Sequence, residues 1–144
     1  MHQHSEKIIL PFTKEQIFNL VMDIEKYPEF LPWCHSAKIL QKVADNLLYA
    51  DLEINYKAFK YKYTSEVKYS LEDGIIDVHK IRGPFRHLKN VWKLKEIGEQ
   101  TEVEFSIELE LKSKLLDKTL ILFFDHAYRK MLTSFRQRAE ELYS

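Results

Sequence analysis

Apolar and polar residues alternate most regularly in the middle of the chain. Leu48, Ala50, Leu52, Ile54 and Tyr56 interleave with Tyr49, Asp51, Glu53 and Asn55, a period of two that predicts a half-buried strand. In the next strand Phe59, Tyr61, Tyr63, Val67 and Tyr69 share one face, and Lys60, Lys62, Thr64, Glu66 and Lys68 the other. Glu72-Asp73-Gly74 marks a turn, after which Ile75 to Ile81 forms a strand of weaker alternation. Gly83-Pro84 interrupts before a strand from Phe85 to Lys95, with Leu88, Trp92 and Leu94 in phase. Beyond a turn near Gly98, Val103, Phe105, Ile107, Leu109 and Leu111 alternate with Glu102, Glu104, Ser106, Glu108 and Glu110.

The two ends read differently. A short strand is expected over His4 to Leu10, ending at Pro11. Thr13 is a helix N-cap that Gln16 completes as a capping box, and Ile17, Phe18, Leu20 and Val21 give that helix an apolar face. Asp23 to Leu31 continues as a short helix or turn, broken by Pro28 and again by Pro32. At the other end Asp117 is the expected N-cap of a long helix, in which Leu120, Phe124, Ala127, Met131, Phe135 and Leu142 recur at helical spacing. The order is strand, short helices, about six more strands and a long helix, an α+β arrangement in one domain spanning residues 1–144. Successive strands with short turns predict an antiparallel sheet, and the long helix must cover its apolar face.

A curved sheet closed by one helix can leave a space between them. Tyr61, Tyr63 and Tyr69 point to that space, because a fully buried hydroxyl left unpaired costs roughly 1–3 kcal/mol. Tyrosines lining a partly wet cavity, or meeting a polar ligand head, avoid this cost; the same side chains could equally fill the core or reach the rim.

Charge narrows the function. Twenty-two Lys and Arg balance twenty-two Asp and Glu, which offers no basic excess for non-specific nucleic-acid binding, and no DNA partner is expected. If the last two strands pair, Lys89, Lys93 and Lys95 face glutamates across the ladder, and Asp51 and Glu53 offset the Lys57, Lys60, Lys62 and Lys68 row. Arg129, Lys130, Arg136 and Arg138 form a second basic cluster on the final helix, suited to ribosome or membrane contact.

The single cysteine, Cys34, excludes an intramolecular disulfide and a multi-cysteine metal site, and suits a reducing compartment. Cys34-His35 would face opposite ways in a strand, and Asp125-His126 diverge on a helix, so neither makes a catalytic dyad. No histidine pair has zinc-enzyme spacing, and no nucleophile elbow, P-loop or dinucleotide fingerprint is present. No catalytic residue and no required cofactor or metal is therefore expected. No run of about 18 apolar residues suggests a membrane span. Because the first strand is expected to begin within a few residues, no room remains for a signal or transit peptide, and a cytoplasmic location, with peripheral contact at the inner membrane, is expected.

The segment Tyr27-Pro28-Glu29-Phe30-Leu31-Pro32-Trp33-Cys34 resembles the signature of the coenzyme Q-binding START-domain family, within the polyketide cyclase/START-like superfamily, which also includes the bacterial ribosome-association toxins. Gly83-Pro84-Phe85 followed by Leu88, Asn90 and Trp92 is similar to a second stretch of that family. The resemblance implies a helix-grip fold, in which a curved seven-stranded antiparallel sheet wraps a long C-terminal helix around a deep apolar tunnel. It also implies binding of ubiquinone or a related polyprenyl lipid in support of respiration, without catalysis. Each buried CH₂ would contribute about 0.8 kcal/mol.

On this reading Phe30, Leu31 and Trp33 form a lid, or else plug the segment into the core. Leu52, Ile54, Tyr61, Tyr63, Phe85, Asn90, Trp92, Phe105, Phe124 and Met131 are candidates to line the cavity, with tyrosine hydroxyls, Asn90 or Trp92 donating to the quinone head. The toxin branch implies instead a partner in the large ribosomal subunit, whose joining it would block. A cyclase, the enzyme of the wider fold, needs an acid or base in the cavity, and the inward positions offer no carboxylate or histidine constellation.

Overall fold

The computed structural model describes residues 2–56 and 59–144, with the side chains of Phe59 and of residues 114–120 outside that description. Lys57 of the lysine row, the Phe59 ring and the side chains of Asp117 and Leu120 thus lie outside the described residues. The elements follow in the order β1 (His2–Leu10), α1 (Lys14–Met22), a 3₁₀ segment (Ile24–Glu29), β2 (Cys34–Ala44), β3 (Leu47–Tyr56), β4 (Phe59–Ser70), β5 (Ile75–Arg82), β6 (Phe85–Ile97), β7 (Gln100–Leu111) and α2 (Lys114–Tyr143). The seven strands form one antiparallel sheet ordered β1-β7-β6-β5-β4-β3-β2. The fold is α+β, as the alternation predicts.

Local chemistry accounts for the elements. Thr13 Oγ1 accepts from the Gln16 N–H at 3.1 Å while Gln16 Oε1 accepts from the Thr13 N–H at 3.0 Å, the reciprocal capping box that starts α1. On the solvated sheet face Lys89, Lys93 and Lys95 stand opposite Glu108, Glu104 and Glu102, so opposite charges face each other across the ladder. At Gly83 (φ +138°) a Cβ would lie 2.6 Å from the Tyr63 Cβ, so only glycine lets the β5–β6 connection pass over that tyrosine.

Several boundaries differ from expectation. β1 begins two residues earlier than His4, because His2 already pairs with Leu109. Pro28 lies inside the 3₁₀ segment rather than ending it. The N-cap of α2 is Ser113, in extended conformation, and not Asp117, which falls within the helix. The four-residue apolar spacing in fact extends back from Leu120 to Leu116, the residue before Asp117. Leu142 is half-exposed, and the last turn docks through Tyr143, whose ring meets Phe12 and whose hydroxyl donates to the Gln16 carbonyl at 3.2 Å. The buried stripe of α2 includes Phe123, Phe124, Ala127, Tyr128, Leu132, Phe135 and Ala139.

Candidate functional site

Between α2 and the concave face of the sheet lies a largely enclosed chamber of about 110 Å³. α1 and the 3₁₀ segment close one side through Val21, Met22, Ile24 and Tyr27, and α2 contributes Met131 and Phe135. The lid segment supplies Leu31 and Trp33, with Cys34 next to them. The sheet provides the remaining wall from β3, β4, β5, β6 and β7.

Why space remains is visible in the register. Ala50 of β3 faces Ser65 of β4, flanked by the bulkier pairs Leu48 with Val67 and Leu52 with Tyr63. Ala50 and Ser65 are 0% and 1% exposed, so both are fully enclosed yet fill little volume. Around this gap the packing is dense. Phe135 meets Trp92 at 4.9 Å, Tyr27 at 5.5 Å and Phe30 at 5.0 Å between ring centroids, joining helix, sheet and lid in one aromatic cluster.

Nine of the sequence-predicted residues line the chamber: Leu31, Trp33, Leu52, Ile54, Tyr63, Asn90, Trp92, Phe105 and Met131. The other four do not. Phe30 packs behind the lid against Phe135 and under the Arg138 guanidinium, 5.3 Å from its ring. Phe85 and Phe124 pack on each other and on neighbouring rings in tilted and edge-on contacts, outside the chamber lining. Tyr61 is half-buried near the start of β4 and outside the lining. Leu31 and Trp33, 3% and 5% exposed, are turned inward and not toward a membrane.

Sequence reasoning missed the α1 face, Val21 and Met22, and the small pair Ala50 and Ser65. Position 65 interrupts the inward aromatic row of β4, and that interruption was the available signal.

The chamber is held electrically neutral. Among the described residues none of its lining side chains is an acid, a lysine, an arginine or a histidine. Burial pushes the Tyr27 and Tyr63 hydroxyls far above the ordinary tyrosine range and the Cys34 thiol up to about 11, so all three stay protonated at neutral pH. The Tyr27 hydroxyl donates to the Val21 carbonyl, and the Cys34 thiol reaches the Ser36 carbonyl at 3.5 Å. Trp92 Nε1 donates to Asn90 Oδ1 at 3.2 Å, and Asn90 Nδ2 donates to the Ser106 carbonyl at 2.9 Å. The indole N–H is therefore spent internally and is not offered to a ligand in this conformation. Ser65 differs: its buried hydroxyl has no hydrogen-bond partner within the protein.

Residues 10–136 match the family described as polyketide cyclase / dehydrase and lipid transport. The chain belongs to that family. Within it, the chain is 36% identical over 143 residues to the Rickettsia prowazekii (strain Madrid E) protein named Ribosome association toxin RatA, covering 97% of this chain and 96% of the relative. It is 28% identical over 151 residues to the Xenopus laevis protein named Coenzyme Q-binding protein COQ10 homolog B, mitochondrial, covering 98% of this chain but 59% of that protein. A START superfamily protein from Mycobacterium smegmatis shares the fold with a TM-score of 0.83 at 17% identity, covering 99% of each chain. The START-like family resemblance drawn from Tyr27–Cys34 thus agrees with these similarities. Among the described residues no helix is long and apolar enough to cross a membrane.

Proposed function

We propose that this chain binds ubiquinone or a related polyprenyl lipid in the chamber beneath α2 and carries or chaperones it for respiratory electron transport, without catalysing a reaction. The observation that carries this reading is a neutral, apolar, largely enclosed chamber bounded on one side by Leu31 and Trp33. A neutral lining favours an uncharged ligand, because no buried ion must be desolvated or paired. The absence of carboxylate or imidazole among the described lining residues leaves no general acid or base of suitable pKa for cyclase chemistry.

Size adds a condition. An engineered cavity of about 150 Å³ holds a benzene molecule. At about 110 Å³ the chamber takes a ring or a short tail fragment only if its walls adjust, and the rest of a polyprenyl chain must leave past the lid. Met22 and Met131, both flexible and half-buried, are the wall residues best able to adjust. No extrinsic cofactor or metal enters this reading; the quinone is cargo.

The test is organic extraction of the purified protein with mass spectrometry and ultraviolet detection of quinones, followed by loading of the extracted protein. A stoichiometric quinone, or saturable loading, is expected. An empty extract and failed loading would sink the reading.

The second reading is a ribosome-associating protein that blocks subunit joining. It is favoured by identity along nearly the whole length of a relative carrying that name, and by exposed Arg129, Lys130 and Arg136 on the outer face of α2. Cosedimentation with the large ribosomal subunit that weakens with salt, and is lost on reversing these three charges, is its expected signature. Unchanged sedimentation at saturating protein would remove it.

A further inference from the structure

Ser65 is the one described lining residue whose side-chain oxygen is both fully buried and without a protein hydrogen-bond partner. It stands beside Ala50, at the place where two small side chains create the void. A hydrocarbon tail seated against that hydroxyl would leave it unpaired in apolar surroundings, which is unfavourable. A carbonyl or hydroxyl oxygen on the ligand would satisfy it. At about 110 Å³ the chamber admits only one end of such a ligand, a ring or a short tail fragment, and the unpaired hydroxyl selects the ring.

We infer that Ser65 is the polar anchor of the chamber, and that the ligand enters with an oxygen-bearing ring innermost while its apolar tail leaves past Leu31 and Trp33. This deepens the lipid-binding reading above and rests on it. The serine hydroxyl donates to the ring carbonyl, and the surrounding apolar wall holds the ring faces. Specificity follows: the site prefers a neutral ring with an exposed carbonyl over a plain hydrocarbon of equal length.

The obvious probes are a ubiquinone with one isoprene unit and a prenylbenzene with the same tail and no oxygen. Ser65→Ala should weaken the quinone on the order of tenfold, while changing prenylbenzene affinity less than about twofold. The same variant, free of ligand, should melt at a higher temperature than the parent, because an unpaired buried hydroxyl has been removed. Ser65→Cys, which keeps a weak donor, should fall between them for the quinone. Equal quinone affinity in the parent and Ser65→Ala overturns the anchor while leaving lipid binding intact. A lower melting temperature for ligand-free Ser65→Ala also overturns it, since the hydroxyl would then have been paired. A parent that binds neither probe overturns the lipid-binding reading and the anchor together.

Discussion

Cys34 shows how the site sets the properties of a single residue. Its thiol lines the chamber, is buried, and is pushed from the ordinary 9.0 up to about 11 by loss of water. Below pH 9 both folded and unfolded thiols are protonated and the associated stability is fully present. As pH rises from about 9 toward 11 the unfolded chain ionises first, so stability falls across that window. Tyr27 and Tyr63, raised by the same burial, act in the same direction at higher pH. The urea midpoint should therefore drop between pH 8 and pH 10.5, and Cys34→Ala should drop less. A parallel decline in the two proteins would refute the assignment. Residue by residue, Tyr63 and Trp92 stand out in the sequence as large inward side chains of alternating strands, Trp33 and Asn90 come from the family resemblance, and all four line the chamber. Sequence reasoning passed over Ala50 and Ser65, since small side chains carry no pattern of their own and their effect is the space they fail to fill.

At the level of elements, the lid is held by a latch. Arg138 of α2 donates to Glu29 of the 3₁₀ segment at 2.7 Å, reaches Glu141 at 3.6 Å and lies over the Phe30 ring. Glu25 accepts the Ile39 N–H at 3.0 Å, tying the same segment to β2, and the Trp33 carbonyl accepts from the Asn55 N–H of β3. Within Tyr27–Cys34 the residues divide: Phe30 packs against Phe135 and under Arg138, while Leu31 and Trp33 are buried and line the chamber. Arg138→Ala removes two ion pairs and a cation–π contact, each modest because partly solvated, and should raise the opening rate on the order of threefold. Thiol labelling of Cys34 in the folded protein is the measurement, and an unchanged labelling rate would show that the latch does not control access. The Arg138 hydrogen bond keeps the Glu29 carboxyl below its ordinary 4.5, so the latch is complete above that pH and weakens as acid protonates Glu29.

For the whole molecule, the chamber is a packing deficit that the rest of the core sustains. Filling it should increase stability and remove capacity together. Ala50→Val adds two methyl groups at a fully enclosed strand position and should stabilise the fold by about 1 kcal/mol, a rise of roughly 3 °C in Tm. Under the lipid-binding reading it should also reduce quinone loading severalfold. A variant that melts higher and loads as well as the parent would mean that the ligand sits elsewhere. A lower Tm would mean that the β3–β4 wall cannot accept the added volume.

The alternation of the strands, the capping box of α1 and the amphipathic final helix determined the α+β fold, because burying one face of each element depends on local period alone. The placement of lysines on β6 opposite glutamates on β7 was readable for the same reason once antiparallel neighbours were assumed. The size of the chamber, the polar contact joining Trp92 to Asn90, and the latch from Arg138 to Glu29 were decided only by tertiary structure. The chamber and the latch depend on how residues far apart in sequence meet, 109 positions apart for Arg138 and Glu29, and the Trp92–Asn90 contact depends on the Ser106 carbonyl of β7 that holds Asn90. Unfilled volume is likewise a property of facing side chains from β3, β4, α1 and α2 together, and no single segment encodes it.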